Sequence, residues 1–227
     1  MSPVPATAAA STAAVVYPDS DGQPIAENTE QYEWIVTLKG NLDACLPGAF
    51  VGGDLLWYPV EGDPLTRVAP DVLVALGRPK GRRGAYMQWV EGGVAPQVVF
   101  EVWSPGNTFG AQVEKLRFYE RHGVEEFYTW DPDRRLFAAF VRDGAGLEPV
   151  AVTTSFTSPL LGVRFDVGQD LAVFRPDGTR FFTFDELDAE RQRLARERDA
   201  VAQERDAVAQ ERDALRAQLR AAGIEAG

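Results

Sequence analysis

The sequence predicts an α+β fold of α/β-like character: a mixed β-sheet core flanked by helices, followed by one long C-terminal helix. Three observations predict it. Apolar residues recur at helical spacing near residue 30 and again over about 108–122. Between and after these segments lie short apolar runs bounded by Gly, Pro, Asn and Asp, the pattern of strands and turns. Beyond residue 184 the chain becomes a repeat of helix formers. The order helix, strands, helix, strands suits a mixed sheet with helices packed on it.

Residues 1–28 are rich in Ala, Thr, Ser and Pro without an apolar period, and are expected to be a flexible arm. The main domain is expected over 29–183. Its first helix starts at Asn28 or Thr29, with Thr29 as the cap and Tyr32, Ile35, Leu38 and Leu42 on one face, although Gly40 weakens it. Phe50–Tyr58 is strand-like around a Gly52-Gly53 turn, and Val68–Leu76 reads as a buried strand. A Gly, Pro and basic loop (Gly77–Gly84) leads to a short strand at Tyr86–Val90, ended by Gly92-Gly93. Val98–Trp103 is a strong strand, broken by Ser104-Pro105-Gly106-Asn107. The second helix carries Val113, Leu116 and Phe118 or Tyr119, and Gly123 stops it. Short strands are expected at Glu125–Trp130, Leu136–Val141, Leu147–Val152, Val163–Val167, Ala172–Phe174 and Arg180–Phe182. Turns fall at Asp131-Pro132-Asp133, Asp143-Gly144 and Pro176-Asp177-Gly178.

Over 184–222 the heptad Glu-Arg-Asp-Ala-Val-Ala-Gln at 197–203 recurs unchanged at 204–210, then as Glu-Arg-Asp-Ala-Leu-Arg-Ala at 211–217. Leu187, Leu194, Val201, Val208 and Leu215 recur every seven residues, while the complementary seam position is Arg or Glu with Ala shoulders. Two readings stand: a weak coiled coil that joins two copies into a homodimer, or a solvated helix supported by charge pairs such as Arg193 with Glu197 and Asp213 with Arg216.

Composition narrows the function. The 227 residues allow one domain with extras or two small ones, and 11% aromatic residues argue against global disorder. A single cysteine, Cys45, excludes an internal disulfide and a Cys-cluster zinc site; a single histidine, His122, excludes multi-histidine metal sites and leaves a Ser-His-Asp triad one candidate base. No run of about 18 apolar residues predicts a membrane span. Met1–Val16 lacks a basic segment of the secretory kind, so the cytoplasm is the expected compartment. A net charge of −11 disfavours nucleic-acid binding by bulk charge but leaves room for a local basic patch.

Two acids stand in apolar surroundings. Asp71 opens Pro70-Asp71-Val72-Leu73-Val74, and Glu101 interrupts Val98-Val99-Phe100-Glu101-Val102. A carboxylate inside a hydrophobic strand is costly unless paired or bound to a cation. On neighbouring strands the two could share Mg²⁺ or Mn²⁺, hard ions that take oxygen ligands. Such a metal can supply hydroxide and stabilise charge on a phosphodiester. The pattern resembles the PD-(D/E)xK nuclease motif, with Trp103 where its lysine belongs; Lys115, on the following helix, could point back at the metal water. Arg78, Lys80, Arg82 and Arg83 form a basic cluster that either contacts DNA phosphates or is a solvated loop. Asp54 reads as a turn acid rather than a third ligand, Glu33 as a surface acid, Asp131 as a turn residue, and His122 as a helix-terminal cation.

The wider text, Pro96–Pro105, then Lys115-Leu116-Arg117-Phe118-Tyr119, then Gly123–Tyr128 and Asp131-Pro132, resembles the bacterial Uma-two family of restriction-endonuclease-like proteins. The resemblance runs from about Glu30 to Leu187 and includes Gly52–Tyr58 and Ser158–Phe165. It implies a restriction endonuclease-like core, in which the position after Glu-Val is commonly not lysine and the helix lysine remains, as Lys115 does. The acid that often precedes this lysine by one turn is replaced by Ala111. The expected function is a Mg²⁺-dependent DNA endonuclease using Asp71, Glu101 and Lys115. The alternative is an inactive nuclease-fold module that self-associates or docks partners through its helical tail.

Overall fold

The structure, a computed structural model, describes residues 15–20, 22 and 24–222. Most of the expected arm lies outside the described residues. The part within them is docked: the Tyr58 hydroxyl donates to the Pro18 carbonyl at 2.7 Å, and the Tyr17 ring packs on Tyr58 and Trp89 with centroids 5.3 and 5.0 Å away.

Helix α1 spans Thr29–Cys45. Its cap is Asn28 rather than Thr29: Asn28 is extended, and its side-chain oxygen accepts from the Gln31 N–H at 2.8 Å. Ile35, Leu38 and Leu42 are buried as their spacing requires, whereas Tyr32 is half exposed. Strand β1 (Ala49–Gly53) contains both glycines expected to turn; the turn falls one residue later, at Asp54, where φ is 46°. The next strands are β2 (Trp57–Tyr58), β3 (Val72–Leu76), β4 (Tyr86–Met87) and β5 (Val98–Val102). Helix α2 (Phe109–Arg121), capped by the Thr108 side chain, leads to β6 (Glu126–Asp131), β7 (Leu136–Asp143) and β8 (Gly146–Val150). β9 (Ser155–Thr157), β10 (Arg164–Val167) and β11 (Leu171–Phe174) complete the strands. β9 is short and only partly buried, so it carries little apolar signal, and Arg180–Phe182 contributes a single bridge to Phe174 rather than a strand.

The main sheet has six strands in the order β1-β3-β5-β6-β7-β8, which confirms the mixed α+β class. Every pairing in it is antiparallel except β5 with β6. Parallel neighbours need a crossover, and α2 is that crossover, so it leaves the end of β5 and returns across the sheet. Side chains alternate between the two faces. Val72, Val74, Val98, Phe100 and Val102 join α1 and the β9–β11 sheet in one core. Leu73, Ala75 and Val99 join Trp57, Tyr86 and the α2 residue Tyr119 in the other.

The chain divides into two compact units at Phe181/Phe182, and Phe181 is the last residue of the buried core. The second unit carries α3 (Phe184–Ala221), 38 residues long with none buried. A capping box starts it: the Thr183 side chain accepts from the Glu186 N–H, and the Glu186 carboxylate accepts from the Thr183 N–H. Among the described residues no helix is long and apolar enough to cross a membrane.

Candidate active site

In β5 the residues Val98, Phe100 and Val102 face α1, so Glu101 faces α2. The β3–β5 register pairs Val72 with Phe100 and Leu73 with Val99. Continued by one residue, it sets Asp71 opposite Glu101 on the same face, where cross-strand Cβ atoms stand roughly 4.5–5.5 Å apart. The β1–β3 register pairs Gly53 with Val72, and the Asp54 N–H donates to the Asp71 carbonyl at 3.1 Å, so Asp54 continues the row. All three acids line one cleft of about 280 Å³, together with Lys115, Trp103, Asn107, Gln31 and residues 24–27.

Glu101 is 1% exposed, and both of its carboxylate oxygens are held from α2. Oε2 accepts from the Lys115 ammonium at 2.6 Å, and Oε1 accepts from the Tyr119 hydroxyl. Lys115 and Tyr119 lie one turn apart on α2, which is why one carboxylate meets both. Asp71 is 8% exposed, and its Oδ2 accepts from the Val102 N–H at 2.6 Å. Burial first, and then the Glu101 charge, push the Asp71 carboxyl well above the usual aspartate range, against the pull of Lys115 and the Val102 N–H. Burial draws the Lys115 ammonium down, but Glu101 and Asp71 outweigh it and hold its pKa above the ordinary lysine value. Burial and Glu101 raise the Tyr119 phenol far enough to keep it a proton donor. Trp103, at the motif's lysine position, forms part of the wall, with its ring centroid 5.7 Å from the Lys115 nitrogen.

The first turn of α1 completes the cleft. Gln31 donates to the Val102 carbonyl at 2.7 Å and accepts from the Glu27 N–H at 2.8 Å. The Glu27 carboxylate accepts from the Ser104 hydroxyl and lies so close to Gly106 that a Cβ there would collide with it. Sequence reasoning missed Glu27, Gln31 and Tyr119 and set Asp54 aside as a turn acid. Asp54 is both a turn residue and part of the cleft. For Tyr119 the readable signal was its place four residues after Lys115; the others depend on chain segments meeting in space.

Asp71, Glu101 and Lys115 are thus brought together, and the basic cluster is not brought to them. Arg78, Lys80, Arg82 and Arg83 follow the far end of β3, roughly 20 Å along the strand direction from Asp71 at about 3.3 Å per residue. Lys80 pairs with Asp43 at 2.9 Å, Arg83 pairs with Glu91 at 2.6 Å and stacks on Phe50, and Arg78 donates to the Glu91 carbonyl at 3.0 Å. His122 is corrected too: burial, then the Arg121 charge, lower its pKa, so it is a neutral ring packed on Phe118 rather than a helix-terminal cation. Glu33 does not line the cleft.

Among the described residues no group of three or more His, Cys, Asp and Glu side chains is arranged to hold a metal. The pair Asp71 and Glu101 still suits a hard cation. The donors are all oxygen, the Asp71 carboxyl is left with an unfavourable burial that a cation would relieve, and Mg²⁺ fills its remaining positions with water.

A model of the Uma2 family, described as "Putative restriction endonuclease", matches residues 20–173. Among solved structures the chain resembles a putative nuclease belonging to DUF820 from Anabaena variabilis, with 15% identity and a TM-score of 0.41 over 50% of this chain and 63% of that one. A comparison with curated proteins finds no match.

Proposed function

Because the chain belongs to the Uma2 family, we propose that it is a cytoplasmic, divalent-metal-dependent endonuclease that hydrolyses DNA phosphodiester bonds. One observation carries this reading: Asp71 and Glu101, buried on neighbouring strands, open into one cleft with the Lys115 ammonium 2.6 Å from Glu101. Asp71 and Glu101 would hold Mg²⁺ or Mn²⁺, which when bound supplies an activated water and stabilises charge at the phosphorus. Lys115 supplies a fixed positive charge where negative charge develops on the phosphoryl oxygens. Tyr119 holds Glu101 in place from behind. Trp103 stands beside the ammonium, with its ring centroid 5.7 Å from the nitrogen.

Supercoiled DNA incubated with Mg²⁺ tests the reading, with calorimetric Mg²⁺ titration alongside. Wild type should nick or linearise DNA and bind the metal. Glu101→Gln and Lys115→Ala should each reduce cleavage by on the order of 10²-fold or more, and Glu101→Gln should also weaken the metal heat. Cleavage that survives both substitutions overturns the proposal. Absence of cleavage in a folded wild type that also binds no metal favours a non-catalytic module on the same fold.

A further inference from the structure

Leu187, Leu194, Val201, Val208 and Leu215 recur every seven residues along α3, and each is more than half exposed in a helix that buries nothing. An ideal α-helix drifts by about 20° per heptad, so a strict seven-residue stripe stays in contact with a straight partner only if the two helices supercoil. The phase of the heptad follows from the flanking residues. With the five apolar residues at d, the a positions are Phe184, Arg191, Arg198, Arg205, Arg212 and Leu219, apolar at both ends. Glu190, Glu197, Glu204 and Glu211 then occupy g, each directly before an a-position arginine. The other phase places glutamates inside the seam at d and leaves Phe184 and Leu219 outside it.

Within one chain the first of these charges are used, since Glu190 and Glu197 both pair with Arg193, at 2.6 and 2.9 Å, and Arg191 pairs with Asp188 at 3.1 Å, but those further along are not. Arg198, Arg205 and Arg212 reach only the next residue, an aspartate at 2.8 Å, and their side chains stay 77, 77 and 56% exposed. Residues adjacent in sequence do not share a helix face. Among the described residues Glu204 and Glu211 form no ion pair.

We infer that α3 pairs with α3 of a second copy of this chain as a parallel, in-register, two-stranded coiled coil, in which the g glutamates of each copy clamp the a arginines of the other. Parallel pairing stacks Leu and Val against their own kind at d and lets the arginine stems cover them while their heads reach the glutamates. Antiparallel pairing would set most d residues against an arginine layer and bring the g glutamates face to face. The proposal does not depend on the cleft or its chemistry.

The full chain tests it, by light scattering with size exclusion and by cross-linking. Wild type should have the mass of a dimer at about 0.05 M salt and dissociate roughly tenfold more readily at about 0.5 M, where exposed ion pairs are screened. In a Cys45→Ser background, Val208→Cys should oxidise to a disulfide-linked dimer, since in-register d residues bring Cα atoms within about 7 Å. Replacing the two central arginines, Arg198→Leu with Arg205→Leu, should keep the dimer at high salt. A monomer at all concentrations, a trimer, or cross-linking of mixed Leu194→Cys and Val208→Cys chains without cross-linking of Val208→Cys alone each overturns the inference. Glu101→Gln should leave the mass unchanged, so failure here is separate from failure of the endonuclease reading.

Discussion

At Asp71 three unfavourable effects act on one carboxyl group, removal from water first, then the neighbouring Glu101 charge and the Asp54 charge, and only the Lys115 charge and one backbone N–H oppose them. A group whose pKa is raised on folding supports the fold most below its ordinary value, here 3.8, and loses that support as the pH climbs through the raised value. Asp71→Asn keeps the acceptor for the Val102 N–H and removes the titration. Its stability advantage over wild type should therefore be near zero at about pH 4 and grow to about 1 kcal/mol or more at about pH 8, read by urea denaturation in metal-free buffer. The same substitution should abolish DNA cleavage. Equal stability of the two proteins at both pH values would show that Asp71 carries no such strain.

Among the strands, β6 shows that a buried acid is not by itself a metal ligand. Glu126 is as buried as Glu101, yet its carboxylate accepts from the hydroxyls of Tyr128 and Ser158, at 2.7 and 2.5 Å, and from the Leu160 N–H at 2.7 Å. These donors tie β6 to the segment before β10, and no cation is needed. Glu126→Gln replaces a charged acceptor of two hydroxyl hydrogen bonds with an amide N–H that is met only when those hydroxyls reverse, so it should cost about 1–3 kcal/mol by chemical denaturation while DNA cleavage stays within about twofold of wild type. Loss of cleavage in a fully folded variant would place Glu126 in the reaction. The sequence marked Glu101 and passed over Glu126 because Glu101 interrupts an apolar run, whereas Glu126 follows the polar Glu125.

For the whole molecule, the division at Phe181/Phe182 has a thermodynamic counterpart. α3 contributes no buried residue, and the last core side chain is Phe181. Truncation after Thr183 should therefore leave the main domain's cooperative thermal transition within about 4 °C of the full chain, a shift that corresponds to about 1 kcal/mol or less. A much larger drop in calorimetry would mean that the helix supports the main domain.

Local pattern determined the helices, the strands β3 and β5, the tail and its period, and Asp71 and Glu101 as candidate acids, because hydrophobic periodicity and an acid inside an apolar run are properties of a few adjacent residues; Lys115 was singled out by the motif resemblance instead. Tertiary structure alone decided which partners those residues meet. The antiparallel register set Asp54, Asp71 and Glu101 in one row, the crossover brought Tyr119 beneath Glu101, and the docking of α1 carried Glu27 and Gln31 to the cleft. It also left the basic loop at the far end of β3, since a strand holds its two ends apart however close they lie in sequence.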